Sequence, residues 1–160
     1  EQDGKIIKEN VMFSIYKSGF SNSIKDIDVA LNQMKYMLDS DQSSLLKSKN
    51  KLERELFFNE VWKAKDPTPS TEYNELMEEY FNRVNYTIEH FDGWEAGWET
   101  DRGMVYILFG APNEINRYNS SNNLSKTRQV WVYRKIGKEF SFIDQNGFGD
   151  YRLESPFSLF

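Results

Sequence analysis

FDGWEAGWETDRGMVYILFG, residues 91–110, joins two parts of the chain that follow different periodicities. It carries two Gly-Trp pairs, Gly93-Trp94 and Gly97-Trp98, then Asp101-Arg102-Gly103, then six apolar residues from Met104 to Phe109. Gly93 and Gly97 permit backbone angles closed to other residues, so each can end or redirect a segment. A Trp after each glycine reads as an anchor that buries its indole where a helix meets a sheet. Asp101 is placed to accept hydrogen bonds from the turn's own amides, and Arg102 to reach a carboxylate such as Asp66 or Glu75. The run Met104 to Phe109, apolar on both faces, predicts a strand covered by helices.

Upstream the spacing is helical. Ile24, Ile27, Leu31, Met34 and Leu38 step by three or four and share one face. A second pattern runs from about Ser43 to Ala64, with Leu45, Leu52, Leu56 and Trp62 as its inner face. Lys65 to Thr71 (KDPTPST) breaks it, because residues before proline leave the helical region. Thr68 or Thr71 is then the expected cap of a third helix. There Tyr73, Met77, Tyr80, Val84, Ile88 and Phe91 form one stripe, and Glu79 and Arg83 have ion-pair spacing.

Downstream the pattern turns to strands. QVWVYRKI (129–136), EFSFID (139–144) and FGDYRL (148–153) follow a polar loop at 119–127, with Gln145-Asn146-Gly147 as a hairpin signal. Residues 5–16, with Val11, Phe13 and Ile15 alternating, read as a short strand. Residues 1–22 are therefore expected to be a strand and linker trailing a preceding domain, and 23–160 one domain. The fold class is α+β: three N-terminal helices packed on a C-terminal antiparallel meander of about four strands.

Composition narrows the chemistry. The 160 residues include no cysteine and a single histidine, His90, which excludes thiol nucleophiles, disulfides and multi-histidine metal sites. Net charge is -5, and between Glu72 and Asp101 nine acidic residues face one basic residue, Arg83. Such a surface repels phosphate backbones, so no nucleic-acid partner is expected. No run approaches the ~20 apolar residues that span a bilayer.

The order FFNEVWKAKDPTPSTEYNELMEEYFNRVNYTIEHF, GWETDRGMVYILFGAPNEI, VWVY resembles the GWxTD domain family of bacterial proteins. Gly97, Trp98, Thr100 and Asp101 match the name-giving motif. The resemblance also takes in Trp62, Asp66-Pro67-Thr68-Pro69, Asn74-Glu75, Tyr80, Arg83, Arg102-Gly103, Gly110 and Pro112, and spans roughly residues 25–154. It departs at Lys65, where the family pattern has Arg, a better fork for bidentate pairing. The resemblance implies an exported protein, in the periplasm or at the cell surface of a Gram-negative-type bacterium, with no established reaction.

The expected role is a non-catalytic structural or protein-interaction domain, without cofactor or metal, that meets an unidentified protein partner. In that reading Asp66, Glu75, Arg83, Asp101 and Arg102 form one polar cluster that locks the helices to the sheet, with Gly97, Trp98 and Thr100 anchoring the loop. Phe157 and Phe160 in SPFSLF are a candidate contact patch. A second reading has exposed aromatics stacking on sugars. A third has Glu75 and Asp101 as an acid-base pair, which would need opposed environments to split their pKa values. His90, beside Phe91, reads as a helix-end residue touching solvent. Asp144, Asn146 and Asp150 come close to a calcium loop but have Phe148 where an EF-hand needs a ligand.

Overall fold

A computed structural model describes residues 26–118 and 127–154. Five helices precede a four-stranded sheet: α1 (Ile27–Gln33), α2 (Ser40–Leu46), α3 (Lys51–Ala64), α4 (Glu75–Phe91), α5 (Asp101–Phe109), β1 (Glu114–Tyr118), β2 (Thr127–Tyr133), β3 (Lys138–Asp144) and β4 (Tyr151–Leu153). The sheet is antiparallel in the order β1-β2-β3-β4. The class is α+β with helices first and a meander last, but with five helices rather than three. The expected strand at residues 5–16, most of the 119–127 loop and the SPFSLF patch lie outside the described residues.

Local chemistry sets each helix start. Asp26, Asp39, Asn50, Asn74 and Thr100 each accept a backbone N–H of the first turn through a side-chain oxygen. Asp39 with Gln42, and Asn50 with Glu53, complete reciprocal capping boxes. Asn74, rather than Thr68 or Thr71, caps α4. Its amide also donates to the Trp62 carbonyl at 2.7 Å, which ties the end of α3 to the start of α4.

Two expected elements change. Met104 to Phe109 is helical, not a strand, and the first strand of the meander is β1. Thr100 Oγ1 accepts the Gly103 amide at 3.0 Å and caps a helix that starts at Asp101, the last residue of the motif. Gly110, at φ 76°, stops it. Helix α5 is apolar all round because it lies between α4 and the sheet. The second helical stretch is likewise two helices, and its inner face differs from the expected leucines. Leu45, Leu52 and Leu56 are exposed, whereas Phe58, Val61 and Trp62 are buried. Leu56 and Trp62 are six residues apart, about 120° around a helix of 3.6 residues per turn, so they cannot share an inner face.

The core has two parts. Ala30, Leu31, Met34, Phe58, Val61, Trp62, Met77 and Phe81 pack where α1, α3 and α4 meet. Val105 of α5 packs on Trp131, Tyr133, Phe140 and Phe142 of the sheet. Register explains the second part. Gln129 faces Phe142 and Trp131 faces Phe140 across β2 and β3, and the buried residues alternate along both strands. Helix α4 reaches both parts, with Met77 and Phe81 in the first and Phe91 packed against the second. The loop after α4 is therefore the place where the two packing units are held in register.

Candidate functional site

That loop folds back on α4. The Gly97 amide donates to Asp92 Oδ1 at 2.5 Å, closing the turn. A Cβ at Gly97 would overlap the Thr87 carbonyl of α4, and one at Gly103 would overlap the Gly97 carbonyl. Three backbone segments thus nest at a separation that only glycine permits. Thr100 Oγ1 donates to the Gly97 carbonyl at 2.8 Å while accepting from Gly103, so one hydroxyl joins loop and helix.

The rest of the motif reaches outward from this nest. The Trp98 carbonyl accepts the Tyr36 hydroxyl at 2.8 Å, and Lys35 Nζ stands 4.8 Å from the centre of the Trp98 ring. Asp101 Oδ2 accepts the Leu153 amide of β4 at 2.6 Å. The neighbouring Glu154 amide bonds back to Ser141 of β3. Alternate amides of a strand point to opposite sides, so Leu153 presents its N–H on the outer edge of β4 and Asp101 closes that edge. The Arg102 guanidinium lies 4.9 Å from the Phe91 ring and 4.3 Å from the Tyr151 ring, and its Nη2 donates to the Gly149 carbonyl. Its Nε is buried without a partner among the described residues. Burial pushes its pKa below the ordinary arginine value, and the flanking ring faces compensate part of that cost.

The five residues expected to form one cluster stand at three separate places. Asp66 and Glu75 both hold Thr68: Asp66 accepts its amide at 2.9 Å and Glu75 its hydroxyl at 2.6 Å. The Thr68 bond holds the Glu75 carboxyl below its usual range. Arg83 pairs with Glu79 at 2.7 Å and donates to the Ile107 carbonyl at 3.0 Å, where a cation complements the C-terminal end of α5. Asp101 and Arg102 tie α5 to the sheet side. Among the described residues no hydrogen bond or ion pair links one place to another. Arg102 therefore reaches neither Asp66 nor Glu75.

The remaining candidates are also engaged. Glu75 opens the 17-residue helix α4 and bonds to Thr68, whereas Asp101 follows the loop at the other end of that helix and bonds to β4, so the two carboxylates of the acid-base reading serve different partners near opposite ends of α4. His90 stacks on Tyr86 with ring centres 3.9 Å apart, and its Nδ1–H donates to the Tyr86 carbonyl. Asp144 accepts the Gly147 and Gly149 amides, both at 2.9 Å, and Asp150 pairs with Arg152. These groups shape the β3–β4 hairpin. Trp94 departs from the anchor expectation: it is 86% exposed, because Gly93 approaches nothing and the Gly93 amide closes a local turn with Glu95.

A match to the GWxTD domain covers residues 2–147. The chain belongs to the GWxTD domain family. Neither a curated protein nor a solved structure matches it. In this GWxTD domain the name-giving residues are engaged within the chain: Gly97 lies against the α4 backbone, Thr100 accepts the Gly103 amide of α5, Asp101 accepts the Leu153 amide of β4, and the Trp98 carbonyl accepts the Tyr36 hydroxyl. Sequence reasoning missed Tyr36 and Lys35 as partners of Trp98. They lie sixty residues upstream, with no periodic relation to the loop. It also missed Asp92, whose place before Gly93 was the available turn signal.

Three phenols report on this packing. Tyr36, Tyr80 and Tyr133 donate to the carbonyls of Trp98, Gln33 and Gly110. Burial raises the pKa of all three well above the ordinary phenol value. A raised folded pKa contributes stability that is complete below the unfolded value, ~10, and is lost as pH rises past it. Titration by phenolate absorbance is expected to leave these three of the nine tyrosines protonated until alkaline unfolding. A single step for all nine with the fold intact would contradict the packing.

Proposed function

We propose that this GWxTD domain is a non-catalytic structural and protein-interaction module of an exported bacterial envelope protein. The observation that carries the reading is the placement of two exposed aromatics, Trp94 and Phe148, at 86% and 78% exposure. Arg152 pairs with Glu95 at 2.9 Å beside Trp94, and Arg102 donates to Gly149 beside Phe148. Both loops are thus held at one end of the molecule. Large rigid aromatics presented to solvent are the residue type that dominates protein contacts. The motif's own polar groups, by contrast, are consumed in holding the fold, which leaves them unfit to act on a substrate. No helix among the described residues is long and apolar enough to cross a membrane; envelope association in this reading comes through the full-length protein.

The same two rings favour a second reading, glycan binding, because a flat apolar face suits a pyranose ring. One comparison separates them. The full-length protein, in its native cell, is cross-linked with and without Trp94→Ala and Phe148→Ala, and both forms are applied to arrays of envelope sugars. The module reading expects a defined protein adduct that the double variant loses while its melting temperature holds. An unchanged adduct pattern, or recovery of the protein with the cytosol, sinks it. Sugar binding abolished by Trp94→Ala transfers the site to glycans.

A further inference from the structure

We infer that the cleft between the end of α3 and the start of α4 is a binding site for an extended, basic peptide segment of a partner protein. This deepens the module reading and rests on it, but it uses a different part of the surface from Trp94 and Phe148. The cleft has a volume of about 310 Å³, and Leu56, Trp62, Pro69, Tyr73 and Met77 give it apolar walls. That size is at the lower end of ordinary ligand sites. Leu56 and Tyr73 remain exposed although they are large and apolar.

Two independent features identify the occupant. The first is Trp62 itself, 1% exposed, whose indole N–H is buried without an acceptor among the described residues. A buried donor left unpaired is costly, and because Trp62 lines the cleft, a small opening of that wall lets the carbonyl of an approaching peptide pair with it. The second is charge. Glu60, Asp66, Glu72 and Glu78 line the cleft against one cation, Lys63. Glu60, Glu72 and Glu78 have no ion-pair partner among the described residues. Apolar walls with an acidic rim suit a segment that alternates apolar side chains with Lys or Arg, its backbone supplying the carbonyl. The rim is rigid enough to select, because Asp66 and Glu75 both fix Thr68, and Asn74 ties α4 to the Trp62 carbonyl.

The test is nuclear magnetic resonance on the nitrogen-15-labelled domain, following the indole N–H signals of its four tryptophans, assigned through bonds. The probes are a blocked octapeptide alternating leucine and lysine, its glutamate counterpart, and lysine amide. The basic peptide is expected to move the Trp62 indole proton downfield, as a new hydrogen bond requires, while the acidic peptide leaves it in place. The double variant Glu60→Gln, Glu78→Gln, which touches no core residue, is expected to weaken binding about tenfold. An equal response to both peptides, or a Trp62 signal that no probe moves, overturns the inference. Binding that shifts only Trp94 and residues near Phe148 overturns this site while leaving the module reading in place. A full response to lysine amide alone replaces the peptide with a small cation.

Discussion

Replacing Gly97 with alanine is expected to destabilise the domain by about 3 kcal/mol or more, the upper range for overpacking a close-packed interior. The added Cβ would overlap the Thr87 carbonyl and crowd the Asp92 amide. Both are main-chain atoms, so no side-chain rotation can relieve the clash. Thr87 is also fully buried in α4, and its hydroxyl is already committed to the Val84 carbonyl. A loss of this size is a large fraction of the 5–15 kcal/mol that holds a typical domain together. Gly93→Ala is the matched control, since a Cβ there would meet nothing within 4 Å. It should change stability by no more than ~0.5 kcal/mol. Urea unfolding of the two variants decides the point: equal midpoints would mean the Gly97 backbone does not rest on α4.

Asp101→Ala should cost about 1–3 kcal/mol, because it leaves the Leu153 amide without an acceptor in a half-buried place. The substitution also removes the acidic group in the first turn of α5, where a negative charge faces the positive end of the helix. Asp101→Asn keeps an acceptor oxygen and should recover most of the loss, leaving only the charge contribution. Thermal melts of the three forms test the order wild type, Asn, Ala. A catalytic carboxylate would give the opposite picture, with stability indifferent to both changes. An unchanged melting temperature for Asp101→Ala would remove the joint from the account.

The sequence made some elements plain and concealed others for identifiable reasons. Strands β2 and β3 were legible because one face is buried and the other is not, so Gln129, Trp131 and Tyr133 alternate with partly exposed neighbours. Helix α4 was legible because its buried and charged faces separate over many turns. Helix α5 was concealed by its own position. Enclosed by α4 and the sheet, its six apolar residues carry no periodic signal, and only the Thr100 cap and Gly110 stop distinguish it from a strand. The face of α3 was misjudged for its leucines alone: Trp62 turns inward as expected, and Phe58 and Val61 turn inward with it in place of Leu52 and Leu56.

The candidate site was legible in its residues and not in its partners. Gly97, Trp98, Asp101 and Arg102 each meet a group outside the loop. The groups they bind come from Tyr36, Thr87, Gly149 and Leu153, which no local spacing connects to the loop. Asp66, Glu75 and Arg83 shared charge complementarity with Arg102 and Asp101, but Asp66 and Glu75 stand at the start of α4, and Arg83 meets the end of α5 opposite to Asp101 and Arg102. Proximity along a helix flank was evidence of alignment, and alignment over several turns is distance.

The most direct test of the joint is amide hydrogen exchange at Gly97 and Leu153 in the native domain. The amide of Gly97 is bound to Asp92 and that of Leu153 to Asp101, one on each side of the motif. If the motif joins the helical part to the sheet, both amides exchange slowly, opening only with the surrounding core, and Asp101→Ala frees Leu153 first. If the core amides of Val105 and Phe142 are protected while Leu153 exchanges as fast as an unstructured peptide, the motif does not fasten the sheet, and its residues must serve something other than the fold.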